Sequence, residues 1–228
     1  MIKKFHEKLQ EVVDDVNRMG KLITEAVENA TKSLLEGDRE IATKVVEGDA
    51  RIDELEMHIE EQCLIIQAEY QPFAKDLRLV NSINIIAIYL ERIGDLAVNL
   101  AKITRRLEKH KAMFMTPEIL DLLKEMANLA KLILSKALKA FKNNDAKLAG
   151  KLDELDNELD NIQKILFKKL FASVAGSNSL SHEEFALYLS NISLASRYLE
   201  RIGDQAINVA ERVLIFLTGD YKILHDEG

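Results

Sequence analysis

Seven consecutive letters, YLERIGD, occur twice in this chain, in IYLERIGDLAVNLAKI (88–103) and in RYLERIGDQAINVAERV (197–213). Ala, Asn and Ala follow at the same intervals, so Glu91, Asp95 and Asn99 correspond to Glu200, Asp204 and Asn208 at an offset of 109. A chain of 228 residues that writes one segment twice at this distance has to build one unit twice, which divides it near residue 110 into halves 1–110 and 111–228.

The unit is helical. Nine glycines and two prolines are too few for a loop-rich fold, and apolar residues recur at three- and four-residue steps almost throughout, the pattern of amphipathic helices. Breaks stand at EGD (36–38), YQPFAKD (70–76), KHKAMFMTPE (109–118), KNND (142–145) and VAGSNSLSH (174–182). They leave six long helices in an all-α fold of two tandem three-helix bundles, with short connections forcing neighbours antiparallel. Thr116 before Pro117 is a helix start, Ser181 with Glu184 a capping box, and Asp145 a weaker cap.

Within the second helix of each half, DARIDEL (49–55) matches DNELDNI (156–162), so Asp49 and Asp53 correspond to Asp156 and Asp160. Each half thus holds two acidic pairs spaced i, i+4, which places both carboxylates of a pair on one helical face. If the second and third helices fold back as a hairpin centred on Pro72, residues whose numbers total 144 lie level: Asp53 with Glu91, and Asp49 with Asp95. In the second half Asp160 meets Glu200 and Asp156 meets Asp204, around a turn inside GSNSLS that is two residues longer.

Four carboxylates at one level disfavour one another's charge. Either cations sit among them or the pairs face water. All-carboxylate donors suit Mg, Ca, Mn or Fe, and Asn99 and Asn208 stand one turn beyond to add an amide oxygen. The bland alternative is that Asn84, Glu91, Arg92, Asp95 and Lys102 are the solvated stripe of a bundle helix, with Arg92 and Arg201 as salt-bridge partners. Gly94 and Gly203 speak against it, because a mid-helix glycine costs about 0.8–1 kcal/mol relative to alanine and points to close approach by a neighbouring helix or a ligand.

Net charge −7 argues against a nucleic-acid partner. No apolar run reaches the length of a membrane span, so membrane association would run through protein partners. Cys63 is the one cysteine; it fits a reducing cytoplasm and reads as core filler. The five histidines lack the E-x-x-H spacing of di-iron bundles. Asp76 and Arg78 read as capping and bracing the third helix, and Met113, Phe114 and Met115 as a contact between the halves.

The doubled ERIGD with Asn four residues on, the D-x-x-x-D before it, and YQPFAKDLR at 70–78 resemble the PhoU family of bacterial phosphate-uptake regulators over essentially the whole chain. The resemblance implies two three-helix bundles related by pseudo-twofold symmetry. It also implies metal ligands at Asp49, Asp53, Glu91, Asp95, Asp156, Asp160, Glu200 and Asp204, holding a multinuclear cluster with iron foremost and Mn, Mg or Ca as alternatives. It further implies a cytoplasmic, non-enzymatic negative regulator connecting the ATPase of a phosphate ABC transporter to a phosphate-sensing histidine kinase, and it is compatible with a homodimer. The second half has no counterpart of QPFAKDLR. A metalloenzyme with a carboxylate-bridged cluster is the competing class, for which the residues offer ligands but no recognisable acid, base or substrate pocket.

Overall fold

The computed structural model describes residues 2–107, 116–172 and 182–220. Among them there is no strand. The elements are α1 (Ile2–Glu36), α2 (Arg39–Gly48), α3 (Ala50–Tyr70), α4 (Lys75–Leu107), α5 (Pro117–Asn143), α6 (Ala146–Ala149), α7 (Asp153–Ala172) and α8 (His182–Thr218). The six long helices are those expected, and α2 and α6 are additional short pieces. They arise because the second helix of each half is interrupted, at Asp49 in the first half and over Gly150 to Leu152 in the second. The expectation of one unbroken second helix is corrected at both places.

Local sequence sets the helix ends. Asp38 caps α2, accepting from the amides of Glu40 and Ile41, and Asp145 caps α6 through Leu148 N at 2.9 Å. Thr116 accepts from Ile119 N with Pro117 in the first turn of α5. At the start of α4 Asp76 lies in the first turn, where its charge complements the helix dipole. Arg78 braces: its guanidinium carbon lies 3.6 Å from where a Cβ on Gly219 would be, at the end of α8. Ser181, Met113, Phe114, Met115 and the expected division near 110 lie outside the described residues.

Both bundles run up, down, up. In the first, Phe5 near the start of α1 meets Tyr70 at the end of α3, with ring centroids 5.7 Å apart. Ser33 near the end of α1 is bonded to Thr104 near the end of α4, 3.1 Å apart and buried. The repeat is visible in the core at an offset of 107 for the first two helices: Val16, Met19 and Val27 are buried as Leu123, Met126 and Leu134 are, and Ile52 and Ile59 as Leu159 and Leu166 are. The third helices keep the offset of 109, with Leu90, Ile93 and Ala97 buried like Leu199, Ile202 and Ala206. The two-residue difference falls in the connection between α7 and α8.

The two bundles do not keep separate cores. α4 and α8 pack on each other more extensively than any other pair of helices, α1 touches α5, and one continuous apolar cluster runs through both halves.

Candidate functional site

Each candidate site is the groove between the second and third long helices of one half. Two glycines make the close approach. A Cβ on Gly94 would lie 3.4 Å from Ile52 and 3.2 Å from Ile23, and one on Gly203 would lie 2.6 Å from Leu159 Cδ2 and 3.5 Å from Asp156 Oδ1. The mid-helix glycines of the repeated segment therefore admit a neighbouring helix, and they set the register: Ile52 beside Gly94 and Leu159 beside Gly203 match the hairpin arithmetic to within a residue or so.

In the first groove Asp49 stands at the α2–α3 break with helical backbone angles, φ −62° and ψ −45°, and its side chain makes no capping bond, although aspartate favours that role. The carboxylate faces the groove instead. Burial, then the charges of Asp53 and Asp95, raise its pKa, and Lys102 partly offsets them. Glu91 is raised by burial and then by Asp95, Asp53, Glu56 and Asp49. All four expected acids therefore act on one another, as the register predicts.

Sequence reasoning missed a fifth. Glu56 is half-buried and its pKa is raised by burial and by Glu60 and Asp53. It sits seven residues after Asp49 on the same face of α3, a spacing that could have disclosed it. At the equivalent place α7 carries Gln163.

In the second groove the acids sit deeper. Asp156 is 8% exposed, and Asp160, Glu200 and Asp204 are half-buried, whereas Asp53 and Asp95 are exposed. The acidic face is thus more open to solvent in the first groove than in the second. Burial and the charges of Asp204 and Asp160 push Glu200 up to about 7, against smaller opposing contributions from Arg197 and Gln163. Water and a surface salt bridge do not describe such a carboxylate. In the first half, Arg92 makes no ion pair among the described residues, and its guanidinium lies over the Tyr89 ring at 5.8 Å. Asn99 and Asn208 are half-buried one turn beyond the aspartates.

The donor set is chemically that of a hard cation: carboxylate oxygens from two helices, at one level, with Asp49, Glu91 and Glu200 raised by burial and by their acidic neighbours. It is not a preassembled shell. Among the described residues no three His, Cys, Asp or Glu side chains stand close enough together to hold an ion. Cys63, which the sequence assigns to the core, is buried there, and burial pushes its thiol up to about 12. No helix among the described residues is long and apolar enough to cross a membrane.

Comparison with known proteins accounts for the repeat. The model of the PhoU domain matches twice, at residues 16–104 and 123–213. The chain is 35% identical over 215 residues to the phosphate-specific transport system accessory protein PhoU homolog 1 of Thermotoga maritima, covering 94% of this chain and 89% of that protein. It is 32% identical to the PhoU homolog of Pseudomonas aeruginosa, covering 95% and 86%. Among solved structures, PhoU from Pseudomonas aeruginosa superposes with a TM-score of 0.87 at 32% identity, covering 95% of this chain and all of that one. The phosphate transport system regulatory protein PhoU from Streptococcus pneumoniae superposes at 0.84 and 26% identity, covering 96% and 99%.

Proposed function

The chain belongs to the PhoU family, and from that premise we propose that it is a non-enzymatic, metal-dependent negative regulator of phosphate uptake. In this reading it connects the ATPase of a high-affinity phosphate ABC transporter to a phosphate-sensing histidine kinase in the cytoplasm. The named relatives, phosphate transport accessory proteins, support the setting.

The observation that carries the metal part is Glu200, pushed to about 7 by burial and two neighbouring carboxylates. A cluster that disfavours its own ionisation is relieved by a cation, because the bound ion favours the charged form of every carboxylate near it. Asp156, Asp160, Glu200 and Asp204 would hold ions in the second groove, and Asp49, Asp53, Glu91 and Asp95, with Glu56 beside them, in the first. Iron is the proposed metal, with manganese, magnesium and calcium as alternatives. When bound, the ions would supply positive charge on a chain of net charge −7, and so a place for an anionic group of a partner to dock. The carboxylates hold the charge and the glycines keep the helices at the distance that lets them act together.

Loading the protein with Fe²⁺ or Mn²⁺, desalting and measuring metal by mass spectrometry tests the ligands. Wild type should retain metal, Glu91→Gln with Asp95→Asn should lose the first groove's share, and Glu200→Gln with Asp204→Asn the second's. Equal metal in all three would refute the assignment. In cells, Asp95→Ala with Asp204→Ala should derepress phosphate-uptake genes in phosphate-rich medium. Normal regulation by that variant, together with metal-dependent turnover of a phosphate ester by the wild type, would favour the enzyme reading.

A further inference from the structure

The end of α4 and the start of α2 form a cleft of about 320 Å³ lined by Arg39, Lys102, Arg105 and Arg106. We propose that this cleft is a binding site for a soluble anion carrying adjacent phosphoryl groups, of the pyrophosphate kind.

Four cations and no acid line the cleft, on a protein whose net charge is −7. Lys102, Arg105 and Arg106 lie three and four residues apart, on one side of α4, where like charges repel. None of the three makes an ion pair among the described residues. Cations in the last turn of α4 complement its dipole, which accounts for Arg105 and Arg106 alone. Arg39, the first residue of α2, brings a fourth cation to the cleft from a second helix.

The repeat supplies a control. At the equivalent places in the second half stand Ala146, Glu211, Leu214 and Ile215. The backbone is shared and the cations are not, so the fold does not require them. Beneath the cleft, Thr104 is pinned to Ser33 of α1, and Ile103 and Leu107 are buried, so the arginines project from a packed platform. Guanidinium groups bind phosphoryl oxygens in a planar, two-point geometry, and three arginines with a lysine match an anion of several charges better than a single phosphate. Lys102 also faces Asp49, which puts the cleft within electrostatic reach of the first groove.

Isothermal titration calorimetry with pyrophosphate, in EDTA so that no cation in the grooves can bridge the anion, tests the site independently of the metal reading. One-to-one binding is expected, weakening as KCl is raised. Arg105→Gln with Arg106→Gln should lower the affinity by about tenfold or more, as loss of charge-assisted bonds requires. Lys164→Gln with Lys168→Gln, two exposed lysines of α7, removes the same charge elsewhere and should leave it within about twofold, since charges beyond a Debye length are screened. Absence of saturable binding, or an equal loss in both variants, would overturn the proposal. So would Arg105- and Arg106-dependent pelleting with phosphatidylglycerol vesicles in a protein that binds no pyrophosphate, because the cleft would then serve a lipid headgroup.

Discussion

Replacing Glu200 by glutamine should stabilise the metal-free protein at pH 8 and leave it nearly unchanged at pH 4.5. The native carboxyl titrates at about 7 where an ordinary glutamate does so at 4.5. Between those values the native state keeps a proton that the unfolded chain has released, so stability falls as pH rises. The contribution is intact below about pH 4.5 and is lost by the time the pH passes 7. A gap of 4.5 to about 7 corresponds to at most about 3.4 kcal/mol at about 1.36 kcal/mol per pH unit. Because the group is only half-buried, solvent screening brings the expected effect to about 1–2 kcal/mol.

Glutamine keeps the shape and loses the charge. Urea denaturation in EDTA should therefore place the variant above wild type by about 1–2 kcal/mol at pH 8 and within about 0.5 kcal/mol of it at pH 4.5. In a thermal melt the pH 8 difference amounts to roughly 4 °C for a chain of this size. Adding Mn²⁺ at pH 8 should reverse the order, because wild type has one more carboxylate to offer the ion and gains more from mass action. A difference independent of pH, or a variant less stable than wild type at pH 8 without metal, would refute the argument that neighbouring carboxylates and burial hold Glu200 protonated.

Gly203→Ala and Gly94→Ala should behave differently although they occupy the same place in the repeat. The new methyl meets buried Leu159 at 2.6 Å in the first case and Ile23 at 3.2 Å in the second. Overpacking at Gly203 should cost about 1–3 kcal/mol before the helix-propensity gain, whereas at Gly94 the gain of about 0.8–1 kcal/mol should roughly cancel the strain, read by urea midpoints. Asp38→Ala and Asp145→Ala each remove a side-chain cap and should each destabilise by about 0.5–2 kcal/mol. An undetectable effect of Asp38→Ala would mean that α2 is held by packing alone.

The pairing of the acids was legible in the sequence because helix hairpins conserve register: once Asp53 is level with Glu91, the rest follows by counting. The caps were legible too, since Asp145 and Thr116 announce themselves by residue type. The interruption at Asp49 was legible but passed over: the tripeptide EGD that marks the break at 36–38 recurs at 47–49, where α2 ends at Gly48. The fused core was hidden. Reading the polar stripe of α4 shows which side is wet, but Leu96, Leu100 and Ile103, all buried, look the same in sequence whether they face their own bundle or the other one. Glu56 was passed over because the repeat directed attention to positions where both halves carry an acid, and its counterpart is Gln163.

That mismatch decides how the two grooves differ. Their backbones share one register, and α4 and α8 each give one side to their own groove and another to each other, so the inequality has to come from side chains. The first groove has five acids, two of them open to water, and Lys102 close to Asp49. The second has four, with Asp156 buried and the neutral amide of Gln163 where the fifth would be. More negative charge in a more exposed place attracts cations from farther away, and salt weakens that attraction. Less charge in a deeper place screens less, so neighbouring carboxylates act on Glu200 more strongly and it holds its proton longer when no ion is there. Under the proposed metal reading, the same repeated motif would give one exposed, more highly charged groove and one in which an ion competes with a proton on Glu200 near neutral pH.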